Sequence, residues 1–359
     1  MDQAMNEAPL ARARRSSPGE GEVFAALDLG TNNCRLLVAT PRGRGFRIVD
    51  SYSRIVRLGE GLSQSGRLGA PAMERALGAL GVCADKIRRR GASRVRAVAT
   101  QACRMAENGT QFLAEVEART GLRLAVISPK EEARLAVAGC LNLLDLKAKT
   151  ALVLDVGGGS TELSWLDLRR GEVELHPGRR RYWRPPITAW LSVPLGVVTL
   201  AERFPSHARG DITGFRAMVE AVKAEIAAFT GAEGLRPLFA AGEAHLVGTS
   251  GAITSLAGLH LRLERYDRSR VDGLWMSRAE CEDVARRLAD LTVAERGAEP
   301  CIGPDRADLV LAGAAILQAV QEVWPCDRVR VADRGLREGL LLSLMAERPR
   351  RAPRIVGHA

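Results

Sequence analysis

The chain has 359 residues, 46% hydrophobic and 26% charged, the profile of an ordinary globular protein with room for two cores. Its apolar runs fall far short of a membrane span and no secretory h-region precedes a cleavage site, so a cytoplasmic protein with no membrane role is expected. A net charge of +10 favours polyanionic partners, while an aromatic content of 4% weighs against base stacking on single strands, which ranks nucleic acid last.

Residues 1–21 are rich in Ala, Arg and Ser without periodicity and read as a disordered basic tail; Asp2, Glu7, Glu20 and Glu22 argue against a transit peptide. A first half, 22–146, reads as strands over Val23–Asp28, Cys34–Thr40 and Phe46–Ser53 and a helix over Pro71–Arg90. A strand over Arg94–Ala99, a helix over Thr110–Thr120, a strand over Arg123–Ile127 and a helix over Lys130–Leu144 follow. These rest on β-branched runs, Gly/Pro punctuation and roughly 3.6-residue periodicity. The second half, 147–346, restarts with strands over Thr150–Asp155 and Glu162–Asp167 and a third between Glu172 and Val193. It continues with a helix over Ile212–Thr230, a strand over Ala244–Gly248, a helix from Gly251, a helix over Asp308–Val323, a strand over Arg328–Val331 and a final helix. Residues 347–359 form a basic tail. One βββαβαβα order occurring twice implies an internal duplication, with its hinge at the polar break Asp145–Lys149.

Two segments interrupt this symmetry. Arg179, Arg180, Arg181 and Arg184, interleaved with Tyr182 and Trp183, read first as a solvated hairpin tip and second as a basic lip for a long polyanion. The run Arg88–Arg90 is explained by charge against a helix C-terminus. The seven cysteines show no CxxC or Cys/His spacing and read as small hydrophobes in a reducing compartment.

The duplication repeats a chemical pattern. Asp28-Leu29-Gly30-Thr31-Asn32-Asn33 and Asp155-Val156-Gly157-Gly158-Gly159-Ser160-Thr161 each follow a buried strand. Glycines let successive N–H groups converge on a phosphate, and the Asp can hold a cation that bridges to one. A third turn, Val247-Gly248-Thr249-Ser250-Gly251-Ala252, closes a strand and opens a helix, the setting of an anion site. Thr31, Asn32, Asn33, Gly157, Gly158, Gly159, Ser160, Thr161, Thr249 and Ser250 are the candidate phosphate contacts. In Ser128-Pro129-Lys130-Glu131-Glu132, Ser128 suits an N-cap and Glu131 the third helical position, a capping box that leaves Glu132 free to face a cleft. The alternative is that both acids merely favour a helix N-terminus.

The three loops resemble the phosphate-1, phosphate-2 and adenosine motifs of the acetate kinase, sugar kinase, heat-shock chaperone and actin superfamily. With the Ser128–Arg134 segment, Ser192-Val193-Pro194-Leu195-Gly196 and Asp333-Arg334-Gly335-Leu336-Arg337-Glu338-Gly339, the chain is similar to the exopolyphosphatase / guanosine pentaphosphate phosphohydrolase (Ppx/GppA) family from about Phe24 to Leu344. The resemblance implies an α/β fold of two duplicated ribonuclease H-like (actin-like ATPase) domains with an interdomain cleft. It implies hydrolysis of a polyanionic substrate, polyphosphate or pppGpp, with Glu132 as the general base. It also implies Arg104 as a phosphate contact, against the alternative of an exposed Arg on a short helix. Asp28, Asp155 and Glu162 would crowd carboxylates in one cleft, and a bound Mg²⁺ relieves this in keeping with the family. A homodimer is frequent in such families. A kinase of the same superfamily and a non-catalytic polyphosphate or alarmone sensor are the rival readings. Thr31, Asn33, Pro129 and Ala252 depart from the family pattern, and Pro129 removes an N–H near Ser128. Only a short basic tail follows Arg348, so the extra helical domain of longer relatives, and with it high processivity, is not expected.

Overall fold

A computed structural model describes residues 21–43, 45–169, 185–205 and 210–347. Residues 1–20 and 348–359 of the expected tails, and the Arg179–Arg184 segment, lie outside the described residues.

The first sheet holds β1 (Phe24–Leu29), β2 (Asn33–Arg42), β3 (Gly45–Ile55), β4 (Arg94–Ala99) and β5 (Leu124–Val126) in the order β3-β2-β1-β4-β5. The second holds β6 (Thr150–Val156), β7 (Thr161–Asp167), β8 (Ile187–Val193), β9 (Ala244–Thr249), β10 (Trp275–Ser277) and β11 (Arg328–Ala332) in the order β10-β11-β9-β6-β7-β8. In each, an antiparallel meander is extended by parallel strands: β4 beside β1, β9 beside β6. This is the ribonuclease H-like order, built twice, with β10 as an added edge. The central strands are covered on both faces and read accordingly as continuous apolar runs, Ala25–Leu27 and Ala151–Leu154, all buried.

The halves exchange their last helices. The helix Pro129–Cys140, at the end of the first half, places Val137 and Cys140 against Ala151, Val153 and Leu166 of the second sheet. The helix Leu336–Ala346, at the end of the second, places Leu340, Leu341 and Leu344 against Phe24, Ala26 and Leu37 of the first. Burial therefore crosses the boundary expected at 146/147 twice. The two helices cross backbone to backbone: a Cβ at Gly139 would overlap the Gly335 carbonyl oxygen, and one at Gly339 the Leu135 carbonyl oxygen.

The hinge segment is tied down by a histidine. His245 on β9 is fully buried, and its Nε2 accepts from the Asp145 N–H at 3.2 Å, which fixes the neutral ring. Burial pushes its pKa from 6.5 down to about 4. The unfolded chain thus binds a proton that the folded chain refuses between those values, and stability falls as pH falls through that window. The effect is roughly 3 kcal/mol at full extent. The buried carboxylates described below act in the opposite sense, so a difference isolates it: His245→Gln is expected to flatten the loss of urea stability between pH 6.5 and 4, and an unchanged slope would count against this assignment.

Candidate active site

The first loop turns between β1 and β2, with the Gly30 N–H donating to the Asn33 carbonyl at 2.8 Å. Thr31 Oγ1, Asn32 Oδ1 and Asn33 Oδ1 are buried without a hydrogen-bond partner. Three orphaned polar atoms in one turn are costly unless a ligand completes them. The second loop turns between β6 and β7 in the same way, with Gly157 N–H donating to the Ser160 carbonyl at 2.9 Å. The two loops touch: a Cβ at Gly158 would stand 3.0 Å from Thr31 Cβ and 3.1 Å from the Asn32 N. A side chain at this position would require the facing loop to give way by a few tenths of an ångström. At the third loop Ser250 has φ 111, and its Oγ accepts from the Ala252 N–H at 3.2 Å as the N-cap of the helix Gly251–His260.

The three loops enclose a cavity of about 700 Å³. Of the residues expected at the site, all but Arg104, Thr161 and Glu162 line it. The hydroxyl of Thr161 donates to the Leu195 carbonyl at 2.7 Å, which holds β7 to the turn after β8. Glu162 sits opposite Asp155 across the β6–β7 pair and accepts from Ser160 Oγ at 2.7 Å and Ser192 Oγ at 3.0 Å. It supports the loop from behind. Arg104, on the short helix Gln101–Met105, is half-buried and donates to the Ile127 carbonyl at 2.7 Å, Gln101 Oε1 at 2.7 Å and Glu132 Oε2 at 3.3 Å.

Ser128 caps its helix as the sequence implies, Oγ accepting from the Glu131 N–H at 3.2 Å. The other half of the expected capping box is not made. The Glu131 carboxylate turns to Arg134 at 2.7 Å and to Arg96 at 3.3 Å, because two guanidinium groups outweigh one backbone donor. Glu132 is buried and faces the cavity.

Glu132, Asp28, Asp155 and Glu338 line this low-dielectric space, and Glu162 stands just behind it. Burial pushes Glu132 well above the usual carboxylate range, and the charges of Glu162, Asp155 and Asp28 push it further while Arg104 opposes. Asp155 is pushed to about 8 by burial, then by Glu162 and Asp28, with Arg35 opposing. Asp28 is raised by burial against Arg35 and Arg337, and Glu162 by burial against its two serine hydroxyls. Such crowding is the setting a cation relieves. Among the described residues no three Asp, Glu, His or Cys side chains stand close enough to form a full cage. Magnesium takes one or two carboxylates and fills the rest with water and phosphate oxygens, so Asp28 and Asp155 fit it as partial ligands.

Five arginines on the cavity wall were not among the expected site residues. Arg268 pairs with Asp333 and Glu338, and Arg334 with Asp272. The guanidinium groups of Arg35, Arg306 and Arg337 have no hydrogen-bond or ion-pair partner among the described residues. Arg35 lies opposite Asp28 across β1–β2, and a Cβ at Gly251 would stand 3.2 Å from its Nη2. A charged residue on a buried strand was the signal for Arg35; Arg306 had none.

Two ribonuclease H-like halves closing on paired Asp–Gly loops define the actin-like class of phosphate-handling folds. The Ppx/GppA phosphatase family profile matches residues 37–348, and the chain belongs to that family. It is 30% identical to Exopolyphosphatase 2 of Mycobacterium tuberculosis over 341 residues, 89% of this chain and 98% of that protein. It is 29% identical to a guanosine-5′-triphosphate,3′-diphosphate pyrophosphatase of Aeromonas hydrophila, covering 90% of this chain and 59% of that protein. Among solved structures, an exopolyphosphatase-like protein aligns with TM-score 0.75 at 29% identity over 90% of this chain and 98% of its own. The Aquifex aeolicus family member aligns with TM-score 0.70 at 27% identity over 90% and 97%.

Proposed function

We propose that the chain releases orthophosphate from the end of a linear phosphoanhydride, inorganic polyphosphate or the 5′-triphosphate of pppGpp, by in-line attack of water. The observation that carries this is Glu132: a buried carboxylate at the cleft wall, beside Arg104, with its proton affinity raised by burial and by the neighbouring acids. Glu132 orients the water and takes its proton. The loop N–H groups, the Thr31 hydroxyl and the side-chain amide N–H of Asn32 hold the terminal phosphoryl, and Arg35, Arg306 and Arg337 offset the charge of the remaining phosphates. Arg104 holds the Glu132 carboxylate in place. Mg²⁺, held by Asp28 and Asp155, supplies charge neutralisation when bound. The names of the relatives, an exopolyphosphatase and a pppGpp pyrophosphatase, support this substrate class.

The test is orthophosphate release from long-chain polyphosphate and from pppGpp with no acceptor present, which a kinase could not sustain. Release is expected to fall at least ~100-fold on chelation by EDTA and to return with Mg²⁺. Binding of both substrates without any release would replace this reading with the sensor.

A further inference from the structure

The segment Val56–Ser63, just after β3, carries the first loop on its own backbone. The N–H groups of Val56 and Arg57 donate to the Asn32 carbonyl at 2.8 and 3.1 Å, and that of Gly59 to the Thr31 carbonyl at 2.9 Å. Gly59 has no side chain because one would overlap that of Thr31. Where Thr31 and Asn32 stand is therefore set by this strap.

The same strap is gripped from the other half of the molecule. Arg57 forks onto Asp308, Nη1 to Oδ2 at 2.7 Å and Nη2 to Oδ1 at 2.9 Å, and Nη2 also donates to the Asp305 carbonyl at 3.0 Å. A few residues on, the Glu202 carboxylate accepts from the Gly61 N–H at 3.0 Å and from Ser63 Oγ at 2.7 Å. Both grips are two-point carboxylate contacts, the geometry that fixes orientation as well as distance. Arg57 holds its fork with φ 47, a left-handed backbone rare for a non-glycine residue. Arg75 steadies the bend from within the first half, its Nε donating to the Val56 carbonyl at 2.9 Å.

We propose that Val56–Ser63 is a closure strap, and that Arg57, with Asp308 and Glu202, is a positioning residue that sets Thr31 and Asn32 against the second loop only when the two halves are shut. The crossing helices tie the two halves together at one place and the strap ties them at another. A phosphate chain that touches both halves supplies the same closure by its own contacts. The strap thus lowers the substrate concentration needed to shut the cleft and contributes little once substrate is saturating. The role of the loop oxygens rests on the phosphohydrolase reading; the closure itself does not.

The test compares wild type with the double variant Arg57→Ala/Glu202→Gln and the charge swap Arg57→Asp/Asp308→Arg, all as full chains. Small-angle scattering without substrate is expected to show a larger radius of gyration for the double variant and a wild-type value for the swap. For orthophosphate release from polyphosphate, KM is expected to rise ~10-fold or more in the double variant with kcat within ~3-fold, and the swap to recover most of KM. Glu202→Gln alone, which leaves the Arg57 fork intact, should give a smaller shift in the same direction. Unchanged scattering and KM in the double variant would overturn the proposal, as would a fall in kcat that the swap does not rescue. If the wild type releases no phosphate, the phosphohydrolase reading fails while the scattering comparison still decides the strap.

Discussion

Glu132→Gln is expected to lower kcat by about 100- to 10,000-fold while leaving the free protein at least as stable as the wild type. The loss follows from chemistry: an amide cannot take a proton from water. The gain follows from electrostatics. Glu132 is buried among Glu162, Asp155 and Asp28, each raising its proton affinity, and removing one acid from that crowd relieves the others. Arg104 keeps its bonds to the Ile127 carbonyl and Gln101, so no guanidinium is stranded. The pH profile carries the same signature. A base works only when ionised, and the raised proton affinity keeps Glu132 protonated at pH values where an ordinary carboxylate is free. Wild-type kcat/KM should therefore climb with pH through that raised pKa, and Glu132→Gln should lose the rising limb. Steady-state rates over pH together with urea denaturation check both halves; a variant that is less stable and retains the limb would remove Glu132 from the mechanism.

Gly339→Val is expected to destabilise by at least ~3 kcal/mol, at or beyond the upper end of overpacking effects. The obstacle is not a flexible side chain. A Cβ there would overlap the carbonyl oxygen of Leu135 on the partner helix, and backbone cannot rotate away. Gly139, across the crossing, meets the Gly335 carbonyl in the same manner. Gly78 is the control. It lies exposed in the helix Ala70–Arg89 with open space where its Cβ would be, so Gly78→Ala should stabilise by about 0.5–1 kcal/mol. Chemical denaturation of the two variants should give shifts of opposite sign. Equal shifts would mean that the crossing is loose and that glycine is dispensable there.

Much of this fold is legible from residue pattern because local signals agree with tertiary burial. The central strands are continuous apolar runs, and each ends in an Asp with a glycine two residues on, which marks both glycine loops. Other features were written in the chain and passed over. Ser277 and Glu280 form a full capping box, Ser277 N–H to Glu280 Oε2 at 2.7 Å, and start the helix Arg278–Ala289, which was not anticipated. The third strand of the second half could be bracketed only between Glu172 and Val193, and it forms at Ile187–Val193, where alternation resumes after the Arg-rich segment. The exchange of the last helices was not legible. Periodicity says that Val137 and Leu340 are buried, but not against which sheet. Within the site, the capping argument and the family resemblance pointed to Glu132, and residue type to the loop hydroxyls. The inward role of Thr161 and Glu162 depended on strand register, and Arg35, Arg306 and Arg337 depended on how distant segments meet.

The exchanged helices also set an order of events during synthesis. The face of the first sheet built from Phe24, Ala26 and Leu37 is covered by Leu340, Leu341 and Leu344. These leave the ribosome only after nearly all of the second half has been made. The growing chain must carry an uncovered apolar face through that interval, although its first strands and their turns are complete. Closing that face is a contact between the two ends of the sequence, the slowest kind to form. The first half therefore cannot mature ahead of the second.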